Sequence, residues 1–201
     1  MIFSKKDLSK VFNLFFIRIY QMLALQFLFL IRVIFFWKLV TLFRALIASV
    51  LEVIEGFSNT EGIKELFNQQ VKFFQKQFFR FDWLISIIIE LAFLNCLLFI
   101  GKIEWGTMAI GFLMMALLIV MLTIVQQTIL IKKHHHLYSL MISYYLLLKK
   151  WHRLILAILL IMGVLYILFK IGIIYLVFLG MPLTTYILVS CLMKDQVIPV
   201  V

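Results

Sequence analysis

The stretch WGTMAIGFLMMALLIVMLTIVQQTILI, from Trp105 to Ile131, carries no charged side chain. A bilayer core about 30 Å thick needs roughly 20 helical residues to cross it, so this run is long enough to span. It is followed directly by Lys132 and Lys133, which open a basic cytoplasmic segment. The stretch is typical of the chain. In 201 residues, 65% are apolar and 14% charged, and mean hydropathy is +1.13. Too little polar surface is available to cover a water-soluble globule of this size.

Working outward, further apolar runs appear at 12–37, 39–54, 83–101, 154–169 and 171–193. With 105–131 they predict an all-α, polytopic integral membrane protein of about six transmembrane helices, forming a single membrane domain over 1–201. The first two runs form a hairpin at Trp37–Lys38; because Leu39 to Ile54 is short and holds Arg44 and Glu52, the competing topology is four spans with that hairpin re-entrant or interfacial. Arg18 interrupts the first run and no small-residue cleavage site follows it, so that run is expected to be retained as a span.

Charge sets the orientation. If Met1 is cytoplasmic, Lys5, Lys6, Lys10, Lys64, Lys72, Lys76, Arg80, Lys132, Lys133, Lys149, Lys150, Arg153 and Lys194 all fall inside the cell. Only Lys38, Lys102 and Lys170 fall in outside turns. That asymmetry is what the positive-inside rule requires. It predicts a multi-pass protein with both termini cytoplasmic, and the excess of Lys over Arg, fourteen to five, points to an AT-rich bacterial genome and so to a bacterial cell membrane. The net charge of +10 lies beside the spans, where anionic lipid is the expected partner and nucleic acid is not.

Two cytoplasmic segments, 57–82 and 132–153, are predicted to be amphipathic helices at the interface. In the first, Ile63, Phe67, Val71, Phe74, Phe78 and Phe81 recur every three or four residues. Phe67, Phe74, Phe78 and Phe81 are the expected partner-docking side chains. Lys72 and Lys76 there, with Lys132, Lys133, Lys149, Lys150 and Arg153 in the second segment, are expected to meet lipid headgroups. His134, His135 and His136 are consecutive, so they point about 100° apart and do not converge on a metal. Cys96 and Cys191 fall in different spans and predict no disulfide.

Polar groups within the spans are the candidate site. A charge in the bilayer interior is costly and faces a partner helix or a wet cavity. Arg18, Gln21 and Arg32 share one side of the first helix, with Arg44, Glu52 and Glu90 on later ones. Counted by depth, Arg18 is expected to pair with Glu90 or Glu52, while Arg32 and Arg44 lie outward with no acid partner. Asp7, Asp82 and Asp195 stand at or beyond span ends, which argues against an aspartyl-protease site. No H-E-x-x-H, G-x-S-x-G or phosphate-binding Gly-rich loop is present. The expectation is a non-enzyme without a metal, haem, flavin or other cofactor.

The order of these features resembles the YesL-like family of bacterial membrane proteins, a domain of unknown function. The resemblance rests on a charged first helix, an apolar hairpin, and Leu66-Phe67-Asn68-Gln69-Gln70-Val71-Lys72-Phe73-Phe74-Gln75-Lys76-Gln77-Phe78 leading into a span. The stretch 131–160 looks like that family's second basic interfacial helix. Val40 to Leu46 departs from it, lacking the Gly and Pro of the family's hairpin turn. The resemblance implies an accessory protein or subunit of a carbohydrate ABC importer, with permease subunits as partners. The alternative from the residues alone is a stand-alone small-solute binding and transport module, like the substrate-capture components of vitamin uptake.

Overall fold

The computed structural model describes residues 5–33, 38–57, 59, 61–99, 104–134 and 139–193. Every regular element among them is helical: α1 (Lys5–Val33), α2 (Leu39–Glu55), α3 (Ile63–Phe99), α4 (Glu104–His134), α5 (Leu140–Lys149), α6 (Trp151–Ile171) and α7 (Ile173–Met193).

α2 is apolar nearly all round, a composition that demands burial on every side. It packs against α1, α3, α4 and α7 at the centre of the bundle. One side of it, Leu42, Ala45, Leu46, Val50 and Val53, meets Met22, Leu25 and Phe29 of α1 and Ile63 and Phe67 of α3. Its other side, Ile47 and Leu51, belongs to a second core with Leu122, Val125 and Ile129 of α4, Leu147 of α5, Ala157 of α6 and Leu188, Val189 and Leu192 of α7. The small residues Ala45, Ala48 and Ser49 are fully buried, and side chains of that size let neighbouring helices approach closely. The run that hydropathy rates the weakest span is therefore the wall shared by both cores.

α2 ends where the chain adopts a left-handed turn. Gly56 has φ 114°, and Phe57 N–H donates to the Glu52 carbonyl at 3.0 Å, a Schellman-type stop. Asn59 Oδ1 then accepts from the N–H groups of Glu61 and Gly62, each at 3.1 Å, and starts α3. α2 and α3 so become an antiparallel hairpin, with Val40 opposite Ser86 and Arg44 opposite Asp82. α4 runs in the same direction as α2, since Arg44 reaches Gln127 while Glu52 reaches Lys132 further along both.

Three helices among the described residues are long and apolar enough to cross a membrane: Phe12–Val33, Gly111–His134 and Trp151–Ile171. Six were expected. α2 falls short because its 17 residues are fewer than the roughly 20 a crossing needs. α3 is the larger departure. The segment 57–82, expected to lie on the inner leaflet as a helix of its own, is continuous with the run at 83–99 in one helix of 37 residues. Its first half is packed into the bundle. Past Ser86, α3 exposes Leu91 and Leu94, and α4 before Leu122 exposes Phe112 and Met115. α4 is then buried without interruption from Leu122 to Ile131.

Candidate functional site: a buried arginine–aspartate network

The polar centre of the molecule forms where α2, α3 and α4 meet. Arg44 Nε donates to Asp82 Oδ1 at 3.0 Å, and both side chains are 0% exposed. The rest of the guanidinium is held by α4: Nη1 donates to Thr128 Oγ1 at 3.3 Å and Nη2 to Gln127 Oε1 at 2.8 Å. Its plane lies over the Phe78 ring, with Cζ 4.7 Å from the centroid, so a cation–π contact covers the face the hydrogen bonds leave open. Three helices thus converge on one side chain.

The carboxylate is held as closely. Thr41 Oγ1 donates to Asp82 Oδ2 at 3.3 Å, so each oxygen has a donor from α2. Asp82 also lies beside the first turn of α2, where unpaired N–H groups favour a negative charge. One of those N–H groups, Val40, donates to Ser86 Oγ at 3.1 Å, one helical turn along α3. Ser86 in turn donates to the Asp82 carbonyl at 2.7 Å. A buried charge pair is tolerated when neighbours supply further hydrogen bonds, and here every guanidinium nitrogen and both carboxylate oxygens have a partner.

Arg44 was expected to have no acid partner, with Asp82 set apart at or beyond a span end; Asp82 is that partner. The α2–α3 hairpin carries Asp82 back alongside Arg44, whereas reckoning depth along separate spans sets them apart. The sequence signal available was the pair of turn residues Gly56 and Asn59, about which an antiparallel hairpin pairs 44 with 82.

The other candidates scatter. Glu52 pairs with Lys132 at 2.7 Å, both partly buried, and not with Arg18. Arg18 is exposed and has no ion-pair partner among the described residues. Glu90 is partly buried on α3, and its Oε1 has no hydrogen-bond partner there. The expected Arg18–Glu90 or Arg18–Glu52 pair does not form. Gln21 is fully buried, with Nε2 donating to the Phe57 carbonyl at 3.0 Å. Arg32 hydrogen bonds Asn68 and lies 5.2 Å from the Phe67 ring centroid, against the start of α3 and not outward. Gln21 and Arg32 thus both touch the chain just after α2, so α1 lies across that end of the hairpin.

The docking stripe is likewise corrected. Phe67 and Phe74 are 0% exposed inside this chain, and Phe78 lies under Arg44. Of the four, Phe81 alone is exposed. Their periodicity marks a core face. Among the expected headgroup ligands, Lys72, Lys76 and Lys149 are exposed. Lys132 is held by Glu52, while Lys133 and Lys150 donate to the Met193 and Leu192 carbonyls at 3.2 and 3.1 Å. Those two lysines satisfy carbonyls at the C-terminal end of α7, where cations are favoured. Arg153 is partly buried at the start of α6.

Sequence reasoning missed Asp82, Thr41, Ser86, Gln127 and Thr128 as members of the network. It also missed Gln126, fully buried with neither amide atom hydrogen bonded among the described residues. His135 and His136, the Trp37 turn and the Cys96 side chain lie outside the described residues. Cys191 is a free thiol. Among the described residues no three His, Cys, Asp or Glu side chains come together as metal ligands. Comparison of the chain with protein-family models, with curated proteins and with solved structures finds no match in any of the three.

Proposed function

We propose that this chain is a non-catalytic, polytopic membrane protein of about six crossings that works as a subunit or accessory of a larger membrane assembly. The observation that carries the reading is α6. It is apolar over nearly its whole length, yet Ile155, Leu159, Met162, Ile167 and Phe169 are exposed. A helix of that kind requires lipid or a partner to cover it. Its ends suit a crossing. Trp151 and Arg153 stand at one end, and at the other Lys170 lies 5.8 Å from the Tyr166 ring centroid. Trp151 and Lys170 are about 28 Å apart along a helix rising 1.5 Å per residue, close to the thickness of a bilayer core. Basic and aromatic side chains at both ends form the belt expected at the two interfaces.

The polar interior favours a subunit over a solute-capture module. A small polar solute needs convergent polar groups lining an open site. Here Arg44, Asp82, Thr41, Gln127 and Thr128 are occupied with one another. The importer as partner rests on the YesL-like resemblance. With the Phe stripe buried, contact with such a partner falls to the exposed apolar faces of α6 and of the α3–α4 arm. Affinity purification in mild detergent, followed by identification of stoichiometric partners, tests this. Recovery of importer permease subunits supports the reading, and recovery of the chain alone from native membranes refutes it.

A further inference from the structure

Between α1 and α7 the surface opens into a groove of about 390 Å³. Leu14, Ile19 and Met22 line one wall and Leu179 and Leu183 the other, so it is almost wholly apolar. Tyr186 also lines it, and the one charged side chain among the lining residues is Arg18. Arg18 is exposed and no carboxylate pairs with it among the described residues, Glu52 being held by Lys132. An apolar slot with one uncompensated guanidinium on its wall is complementary to a molecule with an apolar tail and an anionic head. The planar fork of arginine matches phosphate oxygens two at a time; in a zwitterionic lipid the headgroup cation offsets that attraction, and in an anionic one nothing does. Ligand sites of this kind fall in the range of about 300–1,000 Å³.

We propose that this groove is a binding site for an anionic phospholipid, with an acyl chain lying between α1 and α7 and the phosphate group on Arg18. The site rests on the membrane reading above and not on the identity of any protein partner. It differs from the general attraction of Lys72, Lys76 and Lys149 to a charged leaflet, because it takes one lipid at one place.

The test uses the purified full chain in nanodiscs of phosphatidylcholine carrying graded fractions of phosphatidylglycerol, with retained lipid counted by native mass spectrometry. The parent protein retains one phosphatidylglycerol in preference to phosphatidylcholine. Arg18→Gln lowers that preference about fivefold, the factor one basic residue contributes beside an anionic surface. Leu183→Trp fills the groove and reduces retention of both lipids. Arg18 is exposed, so its variant is expected to melt with the parent, and it decides the question even where Leu183→Trp fails to fold. Equal retention of the two lipids by the parent, or unchanged preference in Arg18→Gln, overturns the site. So does a homodimer whose mass carries no lipid, which assigns the groove to a second copy. Failure of the chain to co-float with liposomes would instead overturn the membrane reading.

Discussion

Removing the Asp82 carboxylate is the sharpest perturbation this bundle allows. Asp82→Ala leaves the Arg44 guanidinium at 0% exposure without its ion-pair partner and leaves the Thr41 hydroxyl without its acceptor. Stranding one member of a buried ion pair costs about 3–5 kcal/mol. For a chain of this size each kcal/mol moves the melting midpoint about 2–4 °C, so the expected loss is roughly 6–20 °C. The control is the double variant Arg44→Met with Asp82→Leu, which removes both charges and keeps apolar volume. Swapping a buried pair for apolar residues is neutral or stabilising, so most of the lost stability should return. The assay is the folded fraction surviving heating in mild detergent, read by size-exclusion chromatography. If Asp82→Ala melts within about 2 °C of the parent, the charge at Arg44 is compensated elsewhere and the network argument fails. A double variant as damaged as the single changes combined would show that the pair holds the hairpin register by more than charge balance.

Three further outcomes follow from the same packing. Phe74→Ala should cost about 3–5 kcal/mol because the ring is fully buried, while Phe81→Ala should cost about 0.5 kcal/mol, and equal melting of the two would restore a surface role to the stripe. Gln126→Leu should hold or raise the melting midpoint, since the amide it removes is buried without a partner among the described residues; a clear drop would reveal a hydrogen bond there. Single cysteines at Asn59 and Ser139, in a background lacking Cys96 and Cys191, should resist membrane-impermeant thiol reagents in intact cells. Both positions are exposed, so rapid labelling from outside would reverse the orientation.

The cores explain why a surface reading of 57–82 was reasonable and still failed. Phe67, Phe74 and Phe78 have the spacing of one apolar face, and that face exists. Lys72 and Lys76 are on the exposed side, as the same periodicity requires. Periodicity states which side chains point together. It carries no information about whether they meet a leaflet, a partner or another helix of the same chain. Asp82 closes the same segment, and its burial depends on contacts from α2 that begin at position 40.

The sequence by itself determined the helical class and the limits of α2, α4, α6 and α7 to within a few residues. These follow from local rules: apolar run length, three-to-four-residue periodicity, and charges excluded from apolar runs. Only the tertiary structure decided that α2 is the centre of the bundle, that Arg44 belongs to Asp82, and that Arg18 is left facing an apolar groove. Lipid and protein interior are both apolar solvents, so hydropathy ranks α2 and α6 on one scale although one is enclosed and the other bare. Which charges meet is set by the register of a hairpin, and a register is fixed by contacts between residues nearly forty positions apart, beyond the reach of any local pattern.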